Sequence, residues 1–390
     1  MRHTFVTLFA LPFLYPYTVL QYNIKIERFR DKTPRQYLIL LNHQTPFDQF
    51  FVALSFWRVI YYLATEDIFS NGFVSTLIRY LAAPIPIKKQ TTDITALKNC
   101  IRIAKEGGSI ALAPEGNRTY SGRTEYMNPS IVSLVRKLGL PVALYRIEGG
   151  YGAQPRWSDV VRRGKMRAYV SQVIEPEEYK EMTNEELFEK ISTGLYVNEA
   201  SVSGQYLHKK SAEYLERAIY VCPYCGLAKF ESHGNTMHCT KCGRQIRYLP
   251  SKELKGEGFA LPFRFVADWY DYQCDFVNRL DTTQHTEKPL FEDVASVSEV
   301  ILYKRKQPLL KDAAIALYGD KVVVEGLGTL SFDQTDAVVV LGRNKLNIYH
   351  NGKVYQFKGS KRFNALKYVN IYHRNKNICG GDFDGKFLGL

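Results

Sequence analysis

The stretch Tyr37–Trp57, YLILLNHQTPFDQFFVALSFW, changes its hydrophobic period part-way along. Tyr37–Leu41 is a short apolar run with the length and composition of a buried strand, and it delivers Asn42 and His43 at its C-terminal end. From Pro46 to Trp57 the apolar residues Phe47, Phe50, Phe51 and Leu54 recur at helical spacing. A buried strand feeding a helix through a polar loop is the unit of a layered α/β sheet, in which sites collect at the C-terminal ends of strands.

The same alternation continues outward. Val59–Leu63 and Ser109–Ala113 read as further strands, and Pro141–Ile147 as another, ending in Glu148-Gly149-Gly150. Helices are expected over Asp67–Leu81, from Thr92 and Asp93 to Gly107, and from Asn128-Pro129 to Gly139. Two prolines make Ala83–Ile87 extended. Pro176–Ile191 is an acidic helical stretch closing this part of the chain.

With 390 residues, two or three domains are expected, and a hydrophobic fraction of 45% excludes long disorder. The net charge of +13 calls for an anionic partner, and it is unevenly placed: residues 1–170 carry 23 Lys/Arg against 11 Asp/Glu. No Lys, Arg, Asp or Glu occurs from His3 to Ile24, a segment dense in aromatic and aliphatic residues. Pro12 and Pro16 interrupt it, Tyr15, Tyr17 and Tyr22 suit an interface, and Lys25, Arg28, Arg30, Lys32 and Arg35 follow. These features predict a shallow anchor on the cytoplasmic face of the cell membrane, with the phospholipid surface as partner, in preference to a clean span.

Cys222, Cys225, Cys239 and Cys242 form two CxxC pairs separated by thirteen residues, the spacing of a zinc ribbon. Four thiolates close a tetrahedral site, so the Zn2+ is expected to be structural and His233 and His238 to be surface residues. Cys100, Cys274 and Cys379 remain over and point to a reducing compartment. Basic and aromatic residues do not interleave in the ribbon, so no nucleic acid is expected as partner, although a nucleic-acid- or lipid-binding protein is the competing class.

The chemistry sits in two segments. His43 followed by Asp48 has the parts of a general base and the acceptor that orients it, and little weight on spacing alone. Arg118 in APEGNRTYSG offers a planar fork for a phosphate, with Gly116 and Asn117 allowing close backbone approach and Glu115 placed to orient Arg118 or bind a hydroxyl. Lys88, after the prolines of APIPIKKQ, is a further phosphate candidate.

In residues 35–175 the chain resembles the lysophosphatidate (1-acylglycerol-3-phosphate) acyltransferase family. NHQTPFD is similar to the family's NHxxxxD block, LAAPIPIKK stands in the place of the second block, APEGNRTYSG resembles FPEGTRS, and GLPVALYRIEGG the proline-containing fourth. Ala113 and Asn117 replace the usual Phe and Thr, and Lys88 stands where arginine is common. The resemblance implies His43 as catalytic base, Asp48 as its partner, Glu115, Gly116 and Arg118 in the acceptor-phosphate site, and acyl-CoA or acyl carrier protein as donor. It implies a lysophosphatidate-like acceptor, with glycerol 3-phosphate or another lysophospholipid as alternatives.

The expected organisation is a membrane-associating segment (1–30), an α/β acyltransferase domain with a mixed sheet flanked by helices (31–200) and a helical linker (201–220). A zinc ribbon (221–248) and an antiparallel β domain capped by a helix (260–390), loosely similar to pleckstrin-homology or GRAM modules, complete the chain. Turns such as YGDK and HNGK mark hairpins in that last part, with a short closing helix over Arg362–Tyr368.

Overall fold

The structure, a computed structural model, describes residues 2–31, 35–70, 72–87, 93–302 and 304–383. These fall into two compact units: residues up to Pro155 with Val161–Leu207, and Arg156–Val160 with residues from His208 onward.

In chain order the first unit runs α1 (Arg2–Tyr22), β1 (Ile24–Ile26), β2 (Leu38–Leu41), α2 (Asp48–Phe56), β3 (Ile60–Thr65), α3 (Phe73–Ala82), β4 (Ile85–Ile87) and α4 (Ile94–Lys105). It continues with β5 (Ser109–Leu112), α5 (Ile131–Leu138), β6 (Val142–Glu148), α6 (Gly150–Ala153), β7 (Met166–Ile174), α7 (Pro176–Lys180) and α8 (Asn184–Leu195). One sheet holds all seven strands in the order β1-β7-β6-β2-β5-β3-β4, parallel except where β7 runs antiparallel to β6. The long strand β7, which closes the mixed sheet, is absent from the sequence reading, because its partly exposed MRAYVSQVI lacks the continuous apolar run that marks its neighbours.

All four residues of β2 are buried, and their alternation serves two faces. Leu38 and Leu40 join Ile110, Val142 and Leu144 against Cys100 and Ile103 of α4, Val135 of α5 and Ile191 of α8. Ile39 and Leu41 join Ala143, Tyr145 and Ile147 against Phe51, Val52 and Phe56 of α2 and Tyr22 of α1. Covering a parallel sheet on both sides explains why its strands are uniformly apolar. Where a cap was expected it is present: Asp93 accepts a hydrogen bond from the amide of Ala96 at 2.9 Å. Thr92 lies outside the described residues.

Two expectations are corrected here. The helix expected over Asp67–Leu81 is a 3-10 turn (Glu66–Ser70) and then α3, divided at Gly72, whose φ of +60° no helix accommodates. And α1 runs through Pro12 and Pro16 without interruption: both prolines lie on the exposed side, one turn apart, while Leu11, Thr18 and Tyr22 are buried. Among the described residues no helix is long and apolar enough to cross a membrane.

The second unit begins with the cysteine segment. A hairpin of β8 (Val221–Cys222) and β9 (Gly226–Leu227) precedes the antiparallel sheet β10 (Phe230–His233), β11 (Thr236–Cys239), β12 (Gln245–Tyr248) and β13 (Leu254–Gly256). The helical linker expected over 201–220 is corrected to irregular chain with one 3-10 turn, Leu215–Arg217. Its backbone groups are paired otherwise, for example Leu207 with Arg163 in both directions at 2.8 and 3.0 Å, and Tyr214 has φ +71°, outside any helix.

After α9 (Val266–Asn278) come β14 (Phe291–Glu299), β15 (Gln307–Leu317), β16 (Lys321–Val324), β17 (Gly328–Ser331), β18 (Thr335–Leu341), β19 (Lys345–His350), β20 (Lys353–Gly359) and α10 (Leu366–Cys379). The seven strands form one antiparallel sheet, β17-β16-β15-β14-β20-β19-β18, so the first strand is central and pairs with the last. The closing helix is longer and later than Arg362–Tyr368, because Phe363-Asn364-Ala365 still belong to the turn that buries Phe363 against Gly359.

Candidate active site

The polypeptide leaves β2 at Leu41 and is held at once by Asn42. Its amide side chain donates to the carbonyl of Ile147 at 2.8 Å and accepts from the amide of Ile147 at 2.7 Å, completing the ladder between β2 and β6 where the strand has ended. Asn42 is fully buried, so its loss leaves two backbone groups unpaired, at a cost of about 1–3 kcal/mol each.

Asp48 is the first residue of α2, and its carboxyl group folds back over the loop that precedes it. One oxygen accepts from the amide and hydroxyl of Thr45 at 2.8 and 2.7 Å. The other accepts from the amide of Gln44 at 2.7 Å and meets Nδ1 of His43 at 2.7 Å. With amide and hydroxyl donors already on both oxygens, Asp48 serves as acceptor, which assigns the proton of neutral His43 to Nδ1 and the basic lone pair to Nε2. The His43 side chain is 29% exposed and that of Asp48 1%, so the ring can meet a substrate while its partner stays dry.

The second motif reaches this loop through Glu115. Its Oε1 accepts from the amide of His43 and its Oε2 from the amide of Glu125, both at 2.9 Å. The amide of Thr119 donates to the carbonyl of His43 at 3.3 Å. Burial pushes the Glu115 carboxyl up to about 8, against the downward pull of the Glu125 and His43 amides. Both oxygens being taken up by backbone, Glu115 ties the two loops together, where the sequence had suggested a hydroxyl ligand or a partner for Arg118. Gly116 has φ +68° and open space around it, so its glycine is required by backbone conformation, not by crowding.

Asn117 and Arg118 are buried, at 4% and 8% exposure, inside a loop that Glu125 latches by accepting from Thr119 Oγ1 and the amide of Tyr120, each at 3.0 Å. Glu125 is a positioning residue the sequence reading did not single out, as is Gln44, which accepts from the amide of Tyr151 at 2.9 Å. Lys88 lies outside the described residues. His43, Asp48, Glu115, Gly116, Asn117 and Arg118 thus converge from two strand ends that are neighbours in the sheet.

In the second unit the sulfurs of Cys222, Cys225, Cys239 and Cys242 all lie within 4.8 Å of one another. Cys222 and Cys242 are 3.9 Å apart, close to the edge of about 3.8 Å that a tetrahedron with bonds of about 2.3 Å requires. All seven cysteines are free thiols. Burial raises the Cys242 thiol, but the Arg244 amide and guanidinium outweigh it and bring it down to about 6, which favours a thiolate. Gly226 and Gly243, at φ +68° and +70°, make the turns after each pair. The four-sulfur donor set could bind a metal ion; His233 and His238 stand outside it.

A family model described as Acyltransferase matches residues 24–146, the segment that holds both loops. Residues 24–146 are an acyltransferase-family domain. Matched relatives of this acyltransferase domain are lysophosphatidate acyltransferases, the family whose blocks the sequence resembles. The chloroplastic 1-acyl-sn-glycerol-3-phosphate acyltransferase of Arabidopsis thaliana is 24% identical over 191 residues, 47% of this chain and 51% of that protein. A chloroplastic enzyme of the same name from Brassica napus is 24% identical over 136 residues, 34% of this chain and 39% of that protein. The chain therefore spans about half or less of the length of these curated relatives. A solved structure of the 1-acyl-sn-glycerophosphate acyltransferase PlsC from Thermotoga maritima superposes with TM-score 0.42 at 21% identity, over 50% of this chain and 78% of that one.

Proposed function

We propose that this protein transfers a fatty acyl group from acyl-CoA or acyl carrier protein to the sn-2 hydroxyl of 1-acylglycerol 3-phosphate. The reading is carried by one observation: the His43–Asp48 pair, at 2.7 Å, shares its loop's backbone with the carboxyl of Glu115, which begins the Arg118 loop. Nε2 of His43 takes the hydroxyl proton as the acceptor oxygen attacks the thioester carbonyl, and Asp48 stabilises the imidazolium. When the tetrahedral adduct collapses, the carbon–sulfur bond breaks and the imidazolium returns its proton to the departing thiolate. Arg118 grips the acceptor phosphate.

Membrane apposition belongs to the same reading. Phe9, Phe13 and Leu20 of α1 are 65%, 68% and 83% exposed, and Phe73, Leu77 and Tyr80 of α3 are 81%, 44% and 55% exposed. α1 and α3 touch, and the exposed Lys25, Arg28 and Arg30 follow α1. An apolar double-helix face beside a basic rim suits shallow insertion among anionic headgroups on the cytoplasmic leaflet. The four cysteines are read as the site of a structural Zn2+, which would fasten the two CxxC turns without taking part in transfer.

The test is thiol release from acyl-CoA and from acyl carrier protein with a panel of lysolipid and glycerol 3-phosphate acceptors. Wild type is expected to prefer 1-acylglycerol 3-phosphate, and Arg118→Ala to lose that preference for a phosphorylated acceptor. Equal use of unphosphorylated acceptors by wild type and variant would overturn the assignment.

A further inference from the structure

The first unit has a cleft of about 830 Å3 for which the transfer step just described has no use. That volume lies in the range of small-molecule sites, about 300–1,000 Å3. Its charged lining is Lys25, Arg146, Lys165 and Arg167 against Glu148 and Glu199. Glu199 is engaged in the wall, accepting from the amide of Gly149. Three of the cations make partly exposed ion pairs, Arg167 to Glu27 at 2.8 Å, Lys25 to Glu27 at 4.0 Å and Arg146 to Glu148 at 3.4 Å, and Arg167 also lies over the ring of Tyr169 at 4.1 Å. Such pairs contribute little and can be exchanged for a stronger anion.

The position of the cleft matters as much as its charge. In the sheet β2 lies between β5 and β6, so His43 has the Arg118 loop on one side and the loop after β6 on the other. Glu148 and Gly149 of that second loop line the cleft. The next residue, Gly150, approaches the catalytic loop so closely that an added Cβ would stand 2.5 Å from Cβ of Gln44. Gln44 in turn donates its amide to Asp48 at 2.7 Å. A basic cleft and the buried Arg118 therefore flank the His43 loop from opposite sides, an arrangement that leaves room for two phosphorylated substrates to approach one base.

We propose that the cleft holds the phosphorylated handle of the acyl donor, the phosphopantetheine arm with any nucleotide attached to it, while Arg118 serves the acceptor. The assignment rests on the acyl-transfer reading. Its test uses the full chain in detergent micelles, where attraction to a charged bilayer does not enter, and compares wild type with the double variant Lys25→Gln, Lys165→Gln. Both side chains are exposed, so folding is not at stake. Losing two charge-assisted contacts should raise the donor KM about 10-fold or more, with kcat and the acceptor KM unchanged. A rise confined to acyl-CoA assigns the nucleotide phosphates; a rise with acyl carrier protein as well assigns the phosphate both donors share. An unchanged donor KM, or a rise in the acceptor KM instead, overturns the proposal. If wild type releases no thiol with any pair of substrates, the transfer reading fails by itself, and titration with CoA and with adenosine 3′,5′-bisphosphate judges the cleft. Binding that the double variant loses keeps it as a phosphate site, and binding that is absent or unchanged removes it.

Discussion

The His43 loop and the four-cysteine cluster both bring polar groups from separated positions to one point, and they do so by different means. Each CxxC turn aims two sulfurs locally, and the two turns lie on adjoining short hairpins, so sequence spacing alone encodes nearly the whole cluster. At His43 the contacts of Asp48 with His43, Gln44 and Thr45 are local, and they shape the loop without placing it in the sheet. The contacts that fix its loop come from Glu115, 72 residues on, and from Ile147, 105 residues from Asn42. A site built from local turns is legible one segment at a time; a site at the C-terminal edge of a parallel sheet becomes a site only once strand order is known.

Breaking each half should therefore have unlike consequences. The largest effect belongs to His43→Ala, expected to lower kcat roughly 10³-fold in the thiol-release assay, in line with the 10²–10⁴ typical of a general base. Asp48→Asn should lower kcat almost as far with the acceptor KM little changed, since the tautomer is lost but the Arg118 loop is not. If His43→Ala kept its turnover, the pair would be no more than a loop fastener.

Cys239→Ser, by contrast, should abolish bound zinc, measured by elemental analysis, and expose the amides of β10–β12 to hydrogen exchange. Thiol release should stay within about twofold, as befits a metal whose contribution is folding energy. Activity that fell in step with metal content would erase the distinction between the two sites.

Glu115 sharpens the comparison from inside the first unit. Its folded carboxyl is raised from 4.5 to about 8, chiefly by burial, so the fold binds that proton more tightly than the unfolded chain does. The protein should then lose stability as pH rises from about 4.5 to about 8, with no further loss from this group above that. Glu115→Gln removes one acceptor and should cost about 1–2 kcal/mol, but its urea midpoint should lack that pH slope. A slope identical to wild type would show that Glu115 is not the group responsible. The smallest effect is expected of Gly116→Ala, about 1 kcal/mol for holding a side chain at positive φ, read as a shift in the same midpoint.

How far each element was legible follows from its surroundings. β2, β5 and β6 were read from their apolar runs because a parallel strand covered on both faces needs nothing else. β7 was missed, since it alternates irregularly and stands beside the sheet's short edge strand β1. The prolines of α1 argued locally for a break, yet packing of Leu11, Thr18 and Tyr22 beneath them keeps the helix whole. Glu115 stood out in the sequence by its place before Gly116 and Arg118, but its contacts were not foreseeable, because both its partners are backbone amides brought near by the fold.

By itself the sequence determined the pieces: a strand–loop–helix with His43 and Asp48, a glycine turn before Arg118, two CxxC turns and a late run of hairpins. These are set by periodicity and turn chemistry acting over a dozen residues or fewer. Only the tertiary structure decided that β2 lies between β5 and β6, that Glu115 binds the backbone of His43, and that a basic cleft opens on the side away from Arg118. Those relations depend on hydrogen bonds and packing between residues far apart in the chain, which no local pattern carries.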